Sequence, residues 1–242
     1  MLDIVVTECV EKDIIDWIND FKFVIKLGCY RMTYRITKEQ YIKDPCGTCS
    51  TAFWKNVEYD KPHNIEIIHE KEFVAIVHSG TIVKYFRLFH TLNDVASLSN
   101  DDFFIQTVDV EKQKGIVAAI LNECYNTKYS FKFVENLTKQ RVFDNDLWIF
   151  IIERSTMLPV ALGIADYDSE IREGSLEWVQ VLPEKRRLGL GELIVNELLR
   201  RLKNKADFVT VSGEIDNSNK PDLLYRKCGF TGDDVWYVVY GE

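Results

Sequence analysis

The sequence predicts a mixed α/β layer structure, a mixed sheet with helices packed on it. The C-terminal part alternates strand-like and helix-like runs in the order β-α-α-β-β-β-α-β-α-β. One of those helices, Leu190 to Leu202, places Leu190, Ile194, Leu198 and Leu202 every four residues, backed by Leu193, Val195 and Leu199. Apolar residues make up 46% of the 242 and charged residues 28%, which is enough apolar surface to bury a core. The length is great for one domain and small for two. One catalytic-size domain with a smaller N-terminal accessory region is therefore expected.

The elements follow in order. Ile14, Trp17, Ile18 and Phe21 stand at helical spacing, which predicts a short amphipathic helix near Asp13 to Phe21. From Tyr34 to about Tyr59 the pattern is less regular, and Asp44-Pro45-Cys46-Gly47 is turn chemistry. Ile65 to Ile68 and Phe73 to Val77 read as short strands, with a second turn at Ser79-Gly80. The polar stretch from Leu92 to Asp102 marks the expected boundary, giving an accessory region over 1–100 and a second domain over 102–242. Beyond it Phe103 to Val108 is a strand. Ile116 to Tyr125 is a helix with Ile116, Ala119, Ile120 and Cys124 on one face, and Phe131 to Arg141 is a second helix. Leu147 to Glu153, Pro159 to Tyr167 and Ser175 to Leu182 are strands, and the helix Leu190 to Leu202 follows. Phe208 to Ile215, Asp222 to Cys228 and Val235 to Tyr240 complete the order as strand, short helix and strand.

Charge and composition exclude several classes. Thirty Lys and Arg against thirty-eight Asp and Glu give a formal charge of −8, which disfavours binding to a nucleic acid backbone. The longest apolar run, Leu147 to Ile152, is too short to cross a bilayer. The first residues lack a basic segment followed by an apolar one, so no secretion signal is expected. Six scattered cysteines then read as reduced thiols in a cytoplasmic protein with neither nucleic acid nor membrane as partner.

The chemistry concentrates where the strand ending at Leu182 runs through Pro183-Glu184-Lys185-Arg186-Arg187-Leu188-Gly189 into a helix that also holds Gly191. The first N–H groups of a helix have no intrahelical partner, and the helix dipole adds positive charge there. Glycines let an anion approach those donors, and Lys185, Arg186 and Arg187 add cationic charge. A Walker loop, GxxxxGK[ST], is absent. A dinucleotide fingerprint fails as well, because Ile194 takes the place of its third glycine.

Arg186-Arg187-Leu188-Gly189-Leu190-Gly191 instead resembles the acyl-CoA motif [R/Q]-x-x-G-x-[G/A] of the GNAT acetyltransferase superfamily. Downstream, Leu224-Tyr225-Arg226-Lys227-Cys228-Gly229-Phe230 resembles that family's L-Y-x-K-x-G-F. The resemblance covers about residues 102–242, and Asp44-Pro45-Cys46-Gly47 resembles a segment of a bacterial subgroup. It implies a GNAT acyl-CoA N-acyltransferase fold in which two parallel strands, here Ser175–Leu182 and Phe208–Ile215, splay apart around the pantetheine arm. It also implies an acetyl-CoA co-substrate and no metal. Backbone at Val179 and Val181 would pair with the pantetheine, and Arg186, Arg187, Leu188, Gly189, Leu190 and Gly191 would hold the pyrophosphate. Glu177 would serve as base, the Val179 N–H as oxyanion donor and Tyr225 as acid toward the CoA sulfur. Where the family often has an Asn seven residues before that Tyr, this chain has Ser218 between Asn217 and Asn219, and either Asn is a candidate for CoA.

The reaction implied is acetyl transfer from acetyl-CoA to a primary amine, on a small molecule or a peptide; the alternative is a non-catalytic acyl-CoA-binding sensor or scaffold. The N-terminal region is expected to cover the acceptor pocket or to mediate a homodimer. Plainer roles stand beside these: Glu177 as an ordinary strand residue, Tyr225 as a packing ring, the basic loop as a solvated turn. Cys46 and Cys49 could form a redox pair or half a metal site. A zinc site usually takes two such pairs, and a redox pair opens a helix after a strand, so two reduced cysteines are the simpler reading.

Overall fold

Which residues form strands here is decided by cover on both faces as much as by alternation. The computed structural model describes residues 37–48, 65–73, 80–125 and 128–241, and the expected helix at 13–21, the strand at 73–77 and Cys49 lie outside them or largely so. The chain divides into a smaller unit, Met1–Ile82 with Tyr237–Glu242, and a larger one, Val83–Trp236. Val83–His90 thus belongs to the larger unit, ahead of the polar stretch at 92–102.

In the smaller unit, helix α1 (Lys38–Lys43) opens with a capping box in which Thr37 and Gln40 satisfy each other's backbone N–H. Asp44 caps its end and accepts from Gly47 N–H at 2.9 Å, which confirms the turn at Asp44–Gly47. Strand β1 (Ile65–His69) follows. The rings of Phe73 and Tyr237 stack at 3.9 Å.

In the larger unit, β2 (Thr81–His90), β3 (Phe103–Thr107), α2 (Val110–Tyr125) and α3 (Phe131–Leu137) come first. After them come β4 (Trp148–Glu153), β5 (Leu158–Asp168), β6 (Glu173–Val181), α4 (Leu190–Leu202), β7 (Phe208–Glu214), α5 (Pro221–Lys227) and β8 (Thr231–Tyr240), the first two residues of β2 and the last four of β8 counting with the smaller unit. Neighbouring strands run β8-β2-β7-β6-β5-β4-β3. All described pairings from β2 to β3 are antiparallel except β6 with β7, which is parallel. The sheet is mixed, as expected.

Register separates the two faces. Trp148, Ile164 and Trp178 stand directly across from one another, as do Ile149, Gly163 and Val179 one residue further along β4. Helix α4 lies on the second row: a Cβ at Gly163 would stand 2.4 Å from Ile194 Cγ2 and 3.3 Å from Leu198 Cδ1. The expected stripe of α4 is buried along its whole length. On the first row, Tyr125 of α2 and Tyr129 before α3 meet Trp178 edge-on.

Three sequence expectations are corrected. Strand β2 was not expected at all. Its residues from Phe86 to Leu88 are buried without alternation, and Arg87 and His90, buried among them, disguise a central strand. Helix α2 buries Lys114, Val117, Ala118, Ile120 and Leu121, whereas Ile116 and Ala119 are exposed. The helix begins six residues before Ile116, capped by the Asp109 carboxylate on Glu111 and Lys112 N–H, so the stripe counted from Ile116 is turned off the true face. Helix α3 is also shorter than expected and ends at Leu137.

The polar residues of β2 are fully engaged. Arg87 donates to Ser212 Oγ at 3.0 Å and to Thr210 Oγ1 at 3.3 Å, and its Nη2 lies 3.6 Å from Glu173 Oε1. Thr210 Oγ1 donates to the same carboxylate oxygen at 2.6 Å. This buried network ties β2, β7 and the start of β6 together.

His90 accepts from Leu92 N–H at Nδ1, 2.8 Å away, and its ring also bonds the Cys228 backbone. Burial lowers its pKa below the ordinary value, partly offset by the Cys228 carbonyl and by Asp94. The unfolded chain therefore takes the proton more readily. Stability from His90 is complete above its unfolded value near 6.5 and is lost as pH falls through that value toward the lower folded one. The fall in Tm between about pH 7 and pH 5 should be steeper in the wild type than in His90→Gln; equal slopes would show that His90 does not govern it.

Candidate functional site

Strands β6 and β7 pair in parallel from Glu173 opposite Phe208 to Leu176 opposite Val211, and the ladder ends there. Both strands continue, β6 to Val181 and β7 to Glu214, so they part toward their C-terminal ends. The reason lies on the other edge of β6. Ile164 pairs with Trp178 and Ala165 with Leu176, so Glu177 is an extra residue in the β6 register. Such a bulge bends a strand and re-aims its side chain. Glu177 is half-buried, and its Oε1 accepts from Ser175 Oγ at 2.8 Å.

Past the bulge the backbone has a defined orientation. Leu182 N–H donates to Val160 O at 3.0 Å, toward β5. In an antiparallel pair, alternate residues direct their polar groups to opposite edges. Val179 and Val181 therefore direct theirs to the edge β7 has left. The Val181 carbonyl accepts from Arg186 Nε at 3.2 Å and lies 3.6 Å from Cys124 Sγ. Burial pushes the Cys124 thiol up to about 11 against the pull of Arg186, so it is uncharged.

The gap leads to the start of α4. A short 3₁₀ turn, Pro183–Lys185, is followed by Arg187 at φ +67° and Gly189 at φ +79°. Leu193 N–H donates to Gly189 O and closes the first helical turn, which leaves the N–H groups of Leu190, Gly191 and Glu192 without intrahelical partners. Arg187, Leu188 and Gly189 are exposed. The three cations of the loop differ in what they can do. Lys185 is tied to Glu153 at 2.5 Å and Arg186 to Val181, while Arg187 has no ion-pair partner among the described residues.

Tyr225 of α5 is buried, its ring packed against Phe86 at 6.1 Å and Phe230 at 5.7 Å. Among the described residues its hydroxyl has no hydrogen-bond partner. Burial first, then Cys228 and Glu177, raise its pKa, so the phenol keeps its proton at neutral pH. The Glu177 carboxylate is near enough to disfavour ionisation of the Tyr225 phenol. Asn217 and Asn219 stand apart in the turn before α5, where Asn217 Oδ1 accepts from Asn219 N–H at 2.9 Å. Asn217 therefore keeps its amide nitrogen for any ligand.

The structure brings together Glu177, Val179, Val181, Arg186, Tyr225 and the loop through Gly191. It also adds residues that the sequence reading missed. Gln180 donates to Tyr125 OH at 2.5 Å, and Leu224 covers Gly191. Burial also raises the Tyr125 pKa, with Tyr225 next in effect, although 47% of the residue is exposed.

Comparison with known proteins agrees with this architecture. Residues 167–239 match the family model described as FR47-like protein. No curated protein matches the chain. Among solved structures, a GCN5-related N-acetyltransferase from Sphaerobacter thermophilus superposes with a TM-score of 0.61 at 13% identity, covering 72% of this chain and 57% of that one. A GNAT-family acetyltransferase from Colwellia psychrerythraea gives 0.55 at 12% identity, covering 74% and 65%. A GCN5-related N-acetyltransferase from Kribbella flavida gives 0.52 at 17%, covering 73% and 67%. The chain thus spans little more than half the length of the Sphaerobacter protein. It has the fold of the GNAT N-acetyltransferases, with an FR47-like segment that includes β6, the basic loop, α4 and α5.

The two loop glycines should respond differently to substitution. A Cβ at Gly191 would stand 3.0 Å from Leu224 Cδ2, so Gly191→Val must push the Leu224 side chain of α5 aside, at about 1–3 kcal/mol. A Cβ at Gly189 would meet nothing within 4 Å, and Gly189→Ala costs only the strain of its positive φ, roughly 1 kcal/mol. Thermal melts of the two variants should show the larger loss for Gly191→Val; the reverse order would mean that α5 does not press on the loop.

Proposed function

We propose that the chain is an acetyl-CoA-dependent N-acetyltransferase, which transfers the acetyl group to a primary amine by direct attack within a ternary complex. The observation that carries this reading is the parting of β6 and β7 after Leu176 and Val211, with Glu177 bulged at the fork. The gap supplies two strand edges for an extended pantetheine arm, and the backbone of Val179 and Val181 faces it. At its far end the open N–H groups of Leu190, Gly191 and Glu192, with Arg187 free beside them, suit a pyrophosphate.

The amine arrives largely as ammonium and must lose a proton. Glu177 takes it, directly or through a water. The nitrogen then adds to the thioester carbon, and the Val179 N–H donates to the oxygen that becomes negative. When the C–S bond breaks, the electron pair leaves on sulfur and Tyr225 supplies the proton that makes the free thiol. Glu177 ends protonated and Tyr225 deprotonated; the amide nitrogen gives its second proton to the Tyr225 oxygen and Glu177 releases the first to solvent, which restores both groups. Free thiols at Cys46, Cys124 and Cys228 are in keeping with a cytoplasmic setting.

Two measurements test the reading. Acetyl-CoA at a hundred times its Kd should add about 2.7 kcal/mol of stability, seen as a rise in Tm; no shift at millimolar ligand overturns the assignment. Tyr225→Phe keeps the ring and should lower kcat by about a hundredfold, with acetyl-CoA affinity nearly unchanged. A Tyr225→Phe protein with wild-type turnover would remove Tyr225 as the acid. A wild type that binds acetyl-CoA yet acetylates no amine would favour a sensor.

A further inference from the structure

The buried stripe of α2 runs through Lys114, Val117, Ala118 and Leu121, and steps of three and four residues carry it to Tyr125. A ring on that face should be covered, yet Tyr125 is 47% exposed. It is also tied to the sheet. Its hydroxyl accepts from Gln180 Nε2, and its ring stands at 84° to Trp178 with centroids 5.6 Å apart. Tyr129 meets the same indole at 85° and 5.7 Å, held in place by Asn122, whose amide bonds both its N–H and its C=O. Tyr125 thus faces the sheet, is bonded to it and keeps half of its surface open at the end of α2, against the buried Trp178, the residue after Glu177.

We propose that Tyr125 positions the acceptor: its ring is an aromatic wall of the acceptor site, oriented by Gln180, and the preferred substrate is a primary amine with a flat aromatic body close to the nitrogen. This rests on the N-acetyltransferase reading. Charge and shape agree along β6. Glu177 attracts the ammonium, and the next residue along the strand, about 3.3 Å further, is Trp178, which carries the Tyr125 ring, so the aromatic wall starts a few ångströms from the ammonium as an arylalkylamine requires. Aromatic groups meet favourably edge-on or offset, as Tyr125 and Tyr129 already meet Trp178. The Tyr125 hydroxyl is within electrostatic reach of Tyr225, which keeps this wall next to the reacting atoms.

The test uses the full chain with acetyl-CoA and two amine probes, 2-phenylethylamine and n-propylamine. The wild type should favour 2-phenylethylamine by at least about tenfold in kcat/KM. Tyr125→Ala should remove that preference by raising the KM for 2-phenylethylamine about tenfold, with acetyl-CoA affinity unchanged, and Tyr125→Phe should restore most of it. A merely structural tyrosine would weaken both amines alike and lower acetyl-CoA affinity. The proposal is overturned if the wild type shows no preference, if Tyr125→Ala depresses both amines equally, or if Tyr125→Phe behaves like Tyr125→Ala. Should Tyr125→Ala fail to fold, the wild-type preference and Tyr125→Phe decide. Binding of acetyl-CoA without turnover of either amine overturns the acceptor class alone, whereas failure to bind acetyl-CoA overturns the underlying reading with it.

Discussion

A strand can keep two neighbours only while its backbone polar groups alternate evenly between them, and β6 stops doing so at Glu177. The extra residue satisfies β5, whose ladder continues to Val181, at the expense of β7, whose ladder ends at Leu176. Everything else in the site depends on that choice. The closed end of the fork is held by the network of Arg87, Glu173 and Thr210, whose buried charges demand fixed partners. The open end needs no such fastening, because α4 lies against the other face at Gly163 and keeps β6 seated on β5. The fork is thus rigid where it is closed and accessible where it parts.

Much of this was legible in the sequence, and each failure has a physical cause. Helix α4 could be read with its bounds because its apolar residues obey one period on one face. The basic loop and α5 could be read because they combine glycines, cations and a tyrosine at fixed spacing. Strand β2 was hidden because a central strand buried on both faces has no alternation to detect, and its charged Arg87 looked like solvent. Helix α1 had a readable signal, Thr37 followed by Gln40, that went unused. The bulge at Glu177 could not be read, since it exists only in the register with β5. For the same reason Tyr125 and Gln180 were invisible as a pair: they lie 55 residues apart and meet only once α2 is laid on β6.

The ionisable groups around the fork sort by burial. Cys124 and Cys228 are pushed up to about 11, and Tyr125 and Tyr225 are raised further, in each case mainly by loss of water. These groups stay neutral at physiological pH and serve as proton donors or as packing. Charge near the gap then comes from groups that keep it, among them Glu177 at the fork, Arg186 and Arg187 at the loop, and Glu123 and Glu184 near Cys124.

That leaves the cleft polarised along its length, and the polarity has chemical consequences. In the acetyltransferase reading a cationic amine would be drawn to the end where Glu177 stands, and an anionic cofactor to the end where Arg187 and the α4 N–H groups stand. Arg186 links the two. Bonded to the Val181 carbonyl, it fixes the loop to the strand edge that would receive the pantetheine, so that the distance from anion site to fork is set by the fold. In that reading the distance matters, because a thioester would have to reach the fork with its pyrophosphate seated, within the fraction of an ångström that direct attack tolerates. The acidic surface of the whole molecule, with its net charge of −8, does not oppose this. Screening confines surface charge to about 8 Å at physiological ionic strength, and the ligand feels the charges of the cleft it enters.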